Sequence, residues 1–509
     1  MKIRLLMLSL MISLSTYSQT GKVIFKIEDI NLVPMVSRDL KRARGIVKSG
    51  NEKFNLTLEK YNIHQFRQLY PSSKREELLK YYILEADGYQ GLMAELKEKF
   101  QGVVSHISQY FDPKPLYVPN DYSFNVRSGN DALRDVGLTY LDLINVRDAW
   151  NITRGDPQVV IGFMDSYLYT SHEDLAGKIA KIYDDNIRIP LSIDVDHGTM
   201  VAGIVGSDTN NDKGISSVAF NCRMAKTSTN KDDLLLMAQD GIKVINISQD
   251  WRYSNEADSL LLEELTVDYQ VIVIAAAGNK NSTAYIYPAS YESVFSVTSV
   301  GHEFDLGSTL NGIQFNWKDC HRKYLNIPDN AYYTHTHNDR VDICAPGYNI
   351  LTTCHPDSYK NGWGASTGQL YSIEDGTSFA APIVAGVCAL MYSINPGLTP
   401  LQVKNIIQRT AFDIYSIPEN AEYIGLLGAG RIDAYKAVKE AGTTYLTGSQ
   451  DTKTWSAGYG FILKDVTINN DSYVSLKARK AVEINGVFEV PLGSSFEITI
   501  DPSAVTTGQ

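Results

Sequence analysis

Residues 376–386 read Gly-Thr-Ser-Phe-Ala-Ala-Pro-Ile-Val-Ala-Gly. The run after Ser378 is apolar on every side, so it reads as a buried helix with no face for solvent. Ser378 stands at its start, where backbone N–H groups lack helical partners and the helix dipole favours negative charge. A nucleophile placed there has half of an oxyanion hole beside it.

A base and an orienting acid are present elsewhere. Asp196-His197-Gly198-Thr199 sets a His among small residues before the apolar Ile204 and Val205. Val159 to Met164 is a buried-strand pattern that ends in Asp165. Strand ends of open α/β sheets are where active sites gather. Each piece alone is weak: a His in a Gly-rich turn is ordinarily a satisfied polar group, and Gly-Thr-Ser is ordinarily a loop or helix cap. Together they give the chain order Asp165, His197, Ser378, which is that of subtilisin and not of chymotrypsin or the α/β-hydrolases.

Over about residues 138–440 the chain resembles the subtilisin-like serine endopeptidases (subtilases), in particular secreted forms from Bacteroidetes. Ala275-Ala276-Ala277-Gly278-Asn279, Tyr287-Pro288-Ala289, Ala345-Pro346-Gly347 and Gly428 to Ala434 carry the resemblance further. It implies that Asp165, His197 and Ser378 form the catalytic triad and that the Asn279 amide holds the oxyanion. It also implies that Ser248, Asp250 and Gly278 bind substrate. No cofactor is required for the chemistry, and the resemblance admits a structural Ca²⁺. Segments around Asp174 and Asn211 are similar to family calcium loops, but the second is about two residues longer, so neither is taken as a ligand. Two departures stand near the cleft: Tyr167 where a Gly is usual, and Asp250 where a Gly is usual. Asp250 is either a solvated loop carboxylate or a group that favours a basic substrate side chain.

Apolar strands alternate with helical patterns up to Val438, which predicts an α/β fold, a mostly parallel sheet with helices on both faces. Residues 1–18 read as a signal peptide: Lys2 and Arg4, the apolar Leu5 to Leu14, then Thr16-Tyr17-Ser18. The protein is therefore expected to be exported to the periplasm, cell surface or medium. Residues 19–120 form a separate strand–helix–strand unit, similar to the subtilase propeptide and so a candidate intramolecular inhibitor, with Asp112 to Asp121 as an exposed linker. Maturation is expected between Pro113 and Arg134. Residues 121–442 are the peptidase domain. In 443–509, apolar pairs such as Val466/Ile468 and Val474/Leu476 recur every eight residues, which predicts a small stacked all-β module.

With 58 acidic and 47 basic residues the net charge is −11, which argues against nucleic acid as a partner. No stretch after the leader is expected to span a bilayer. Among the five cysteines, a pair from Cys320, Cys344 and Cys354 is a candidate disulfide, while Cys222 and Cys388 read as buried hydrophobes. The histidines at 321, 335 and 337 fit a polar surface loop better than a metal site. The partner implied by the triad is a peptide or protein substrate. Two other readings compete: a catalytically impaired binding module on the same fold, and a processing protease or transpeptidase, since water and amines attack the same acyl-enzyme.

Overall fold

The computed structural model describes residues 20–29, 32, 49–69, 75–110, 117–122, 138–184, 196–302, 304–310, 313–316, 318–321, 334–358 and 368–507. The apolar leader and most of the expected maturation region lie outside them. The chain divides into two compact units between Pro115 and Leu116.

In the first unit β1 (Thr20–Ile27), β2 (Ile63–Gln68), β3 (Tyr81–Asp87) and β4 (Val104–Tyr110) form an antiparallel sheet in the order β2-β3-β1-β4. Phe25, Leu84, Phe54, Leu92 and Leu96 are the centre of its core. The helical spacing of Leu92 and Leu96 gives the helix Tyr89–Lys99. Strand β2 has no counterpart in the sequence reading: Ile63 and Phe66 are three apart, so no alternation marks it.

The second unit is built on seven parallel strands: β5 (Val160–Met164), β6 (Ile179–Ile182), β7 (Arg223–Thr227), β8 (Val244–Ile247), β9 (Ile272–Ala276), β10 (Phe295–Val300) and β13 (Ile343–Pro346). Their order is β13-β10-β9-β8-β5-β7-β6. Both faces are buried, which suits the apolar runs of β5 and β9 and the near-apolar β8; β6 and β7, toward one edge, carry Lys181, Arg223 and Lys226. Along β9, Ile272, Ile274 and Ala276 enter one core while Val271, Val273 and Ala275 enter the other. This is the two-residue period of a strand. Helices Thr377–Ile394, His197–Gly206, Pro400–Thr410 and Ala434–Ala441 cover the first face; Asp232–Gln239 and Glu256–Val267 cover the second. The pair β11 (Phe304–Leu310) and β12 (Ile313–Asn316) and the pair β14 (Ile350–Thr353) and β15 (Tyr371–Glu374) are antiparallel additions.

Contrary to the expectation that no later stretch has the makings of a span, Thr377–Ile394 has the length and apolarity of one, and it is wholly buried in this core. Residues 117–121, expected in an exposed linker, also pack into this unit. The Arg154 guanidinium sits 3.7 Å from the Tyr117 ring centre, and Tyr122 meets Trp150 edge-on at 5.9 Å. Asp121, 1% exposed, accepts from Asn210 N–H, Asn211 N–H and the Ser216 hydroxyl. The aromatic and amide partners lie far along the chain, so a Pro-rich composition alone misreads the segment.

At the C-terminal end the chain alternates between two three-stranded parallel sheets. One holds β16 (Thr443–Gln450), β18 (Gly460–Ile468) and β20 (Ala481–Glu489); the other holds β17 (Lys453–Ala457), β19 (Tyr473–Ala478) and β21 (Ser495–Ile500). Phe461, Leu463, Val466, Val474 and Leu476 fill the space between them. The stack docks through Thr506 N–H on the Ile394 carbonyl (2.8 Å) and Arg479 on the Ile152 carbonyl (2.8 Å). All five cysteines are buried and none is in a disulfide, so the candidate pair among Cys320, Cys344 and Cys354 is not formed.

Candidate functional site

Strand order reverses at β5, which lies between β7 and β8, and the crevice beyond the carboxyl ends there is where open α/β sheets bind ligands. Asp165 follows β5, Ser248 follows β8 and Asn279 lies beyond β9. Asp165 is 1% exposed and extends the β5 ladder by donating its N–H to the Thr227 carbonyl at 3.0 Å. Its Oδ1 accepts from the Ser166 N–H at 2.7 Å and lies 2.9 Å from His197 Nδ1. His197 opens its helix against the residues after β5. This approach needs Gly198, because a Cβ there would stand 2.6 Å from the Tyr167 carbonyl oxygen. Burial opposes charge on the His197 ring, but the Asp165 carboxylate outweighs it through charge and hydrogen bond, holding the pKa above the ordinary imidazole value.

The His197 ring packs against Phe379 with centres 5.4 Å apart, which sets it beside the start of the Thr377–Ile394 helix. Ser378 is half-buried there, and its Oγ donates to the Ser248 carbonyl at 3.4 Å. In this conformation the Ser378 hydroxyl is directed to the Ser248 carbonyl, and no hydrogen bond joins Ser378 to His197. Such contacts commonly tighten only with substrate. Pro382 lies inside the helix and has no N–H to give the Ser378 carbonyl. The Ser248 hydroxyl supplies that missing donor at 2.9 Å, which ties β8 to the residue after Thr377.

Asn279 is exposed, yet its amide is oriented. Its Oδ1 accepts from Thr377 N–H at 2.8 Å and from Thr377 Oγ1 at 3.0 Å, and Thr377 Oγ1 accepts from Gly278 N–H at 3.0 Å. With its oxygen held, the amide N–H groups are left to face away from Thr377. Ser248, Asp250, Gly278, Asn279, Thr377 and Ser378 line one cleft of about 450 Å³, together with Gln249, Ala276, Lys280 and Ile286. Asp165 and His197 lie outside that lining.

Asp250 is exposed at the cleft and accepts from Arg252 N–H at 2.6 Å. Lys280, which sequence reasoning missed, lines the same cleft. Nothing in its neighbourhood of Asn279 signals that role until the turn is folded. Tyr167 packs edge-on against His355 at 5.7 Å and is not part of the cleft.

The histidines expected in a surface loop are buried. His321 Nδ1 bonds the Ser299 carbonyl at 2.9 Å, and its Nε2 lies 3.4 Å from His337 Nδ1. Burial pushes the His321 pKa down to about 4. Among the described residues no group of three metal-capable side chains is present. At the candidate calcium loop, three donors point at Asp174: Asn211 Nδ2 (3.0 Å), Ile215 N–H (2.9 Å) and the Tyr371 hydroxyl (3.2 Å). Burial raises its pKa to about 6. Donors turned inward suit a hydrogen-bonded acid, so these residues as arranged do not fit Ca²⁺.

A doubly covered parallel sheet with these groups around its switch-point cleft is the frame of a subtilisin-like hydrolase. The chain belongs to the subtilase family, whose sequence model matches residues 156–461. It is similar to the thermophilic serine proteinase of Bacillus sp. (strain AK1), 30% identical over 67% of this chain and 79% of that one. Thermitase from Thermoactinomyces vulgaris is 29% identical over 64% of this chain and its own full length. The halolysin-like extracellular serine protease Nep of Natrialba magadii is 29% identical over 58% of this chain and 50% of that one. The chain is thus a serine endopeptidase by family.

Proposed function

We propose that the protein is an exported endopeptidase that cleaves peptide bonds through an acyl-enzyme on Ser378. His197 Nε2 takes the Ser378 proton as Oγ attacks the scissile carbonyl, and Asp165 stabilises the imidazolium. The carbonyl oxygen becomes an oxyanion that accepts from the Asn279 amide and the Ser378 N–H. His197 then returns its proton to the leaving amine, and water repeats the sequence to release the acid. The observation that carries this reading is the 2.9 Å Asp165–His197 pair set beside Ser378 while Thr377 orients Asn279 on the same helix start. The Ser378→Ala variant should keep the wild-type melting curve and lose turnover of a denatured protein substrate; equal turnover would sink the assignment.

At the cleft, Asp250 favours a basic substrate side chain, with Lys280 acting against it. Residues 1–18 serve as the export signal, in keeping with the extracellular relative. The unit before Leu116 acts as an inhibitory propeptide, residues 121–442 as the peptidase and 443–509 as a stabilising cap. N-terminal sequencing of active, secreted protein tests the processing, and a start at Gln19 would contradict removal of that unit. The Tyr167 ring, turned onto His355, gives no support to an impaired binding module.

A further inference from the structure

Asn279 sits on an exposed turn, yet a group that must meet a developing charge has to be held to within about 0.5 Å. Thr377 fixes its amide oxygen, but that leaves the backbone of the turn to be held. We propose that Thr336 is the positioning residue for Asn279. It clasps the turn on both sides: the Thr336 N–H donates to the Gly278 carbonyl at 2.9 Å, its Oγ1 donates to the Lys280 carbonyl at 3.1 Å, and the same Oγ1 accepts from Lys280 N–H at 3.2 Å. The residues before and after Asn279 are therefore tied to one fully buried threonine. Gly278 permits the close approach, with φ +107° and a position where a Cβ would stand 3.0 Å from Thr336 Oγ1.

The clasp is itself anchored. The Thr336 carbonyl accepts from Thr298 Oγ1 on β10 at 2.5 Å. On one side His335 stacks on Tyr348 with centres 4.5 Å apart and bonds Ser299. On the other, His337 N–H donates to the Ser282 carbonyl at 3.1 Å. Thr336 does not line the cleft, so it reaches the reaction only through the turn. A chain-long search for the motif would miss it, because Thr336 lies 57 residues beyond Asn279 in sequence.

This inference rests on Asn279 being the oxyanion donor, and the test separates the two. Steady-state kinetics on a peptide substrate are compared for wild type, Asn279→Ala, Thr336→Val, Thr336→Ser and the Asn279→Ala/Thr336→Val double variant. Valine keeps the shape and removes both Lys280 bonds. Thr336→Val should lower kcat about ten- to a hundredfold with KM nearly unchanged. Serine, which keeps the hydroxyl, should restore most of it. In the Asn279→Ala background Thr336→Val should have no further effect. A loss that persists in full without the Asn279 amide, or an unchanged kcat in Thr336→Val beside a reduced one in Asn279→Ala, would overturn the clasp. An unchanged kcat in Asn279→Ala would overturn the oxyanion reading and the clasp with it. Should Thr336→Val fail to fold, Thr298→Val releases only the Thr336 carbonyl and should show a smaller kcat loss that likewise vanishes in Asn279→Ala; a loss that does not vanish overturns the clasp.

Discussion

Asn in place of Asp165 removes one charge and almost no volume. The amide oxygen can still accept the Ser166 N–H now held at 2.7 Å, so the loop after β5 should stay in place. What goes is the carboxylate 2.9 Å from His197 Nδ1. The imidazolium charge is spread over the ring, so its mean distance from the carboxylate is about 4 Å, which at an effective dielectric of 20 corresponds to about 4 kcal/mol. That is about a thousandfold in rate if the imidazolium is fully formed in the transition state. The side chain of His197 is 26% exposed, so solvent screening makes this an upper value for the charge alone. An amide that flips to donate to Nδ1 would add a wrong tautomer and a further loss. The assay is kcat across pH 5–10 on a chromogenic peptide. In the wild type the acid limb should lie above the ordinary imidazole value, because Asp165 outweighs burial. In Asp165→Asn only the weaker charges of Glu374 and Asp196 still oppose burial, so the limb should move down as kcat falls about a thousandfold at neutral pH. A loss under tenfold, or an acid limb that stays put, would refute the electrostatic account of the pair.

Asp121→Ala strips three donors of their acceptor and should cost about 2–3 kcal/mol in chemical denaturation with kcat on small peptides nearly unchanged; no loss of stability would show that residues 117–122 do not brace this unit. Asp250→Asn should lower, and Lys280→Gln should raise, kcat/KM for peptides with Lys or Arg at the scissile position, each by up to about tenfold; identical profiles would count against a charge-reading cleft. Stability should depend on pH through two opposed groups. The His321 pKa falls from 6.5 to about 4 on folding, so its contribution is complete above pH 6.5 and is lost as pH drops toward 4. That of Asp174 rises from 3.8 to about 6, so its contribution is complete below 3.8 and is lost as pH climbs through 6. Melts of His321→Gln should lack the first dependence and those of Asp174→Asn the second; wild-type slopes in both would contradict these shifts.

Strands β5, β8 and β9 were legible because burial on both faces leaves nearly continuous apolar runs, and the helix after Ser378 because it has no polar side. Asp165 and Asn279 stood out as candidates because each follows an apolar strand within a few residues, and His197 and Ser378 because each opens an apolar helix. What escaped depends on contacts between distant segments. The brace at Asp121 joins positions 89 residues or more apart, and the clasp at Thr336 joins a loop to a turn beyond a different strand. The buried histidines read as a polar surface loop because their partners, the Ser299 and His335 carbonyls, the Ser299 hydroxyl and one another, leave no mark in composition. Strand β2 escaped because its apolar residues do not alternate.

The central claim is that Ser378 is the nucleophile and that His197 makes it one. Mature protein treated with a fluorophosphonate and mapped by peptide mass spectrometry tests this directly. A single modified site at Ser378, lost in Ser378→Ala and strongly slowed in His197→Ala, is the predicted result. A folded protein that stays unlabelled, or labelling at another serine that persists in Ser378→Ala, would contradict it.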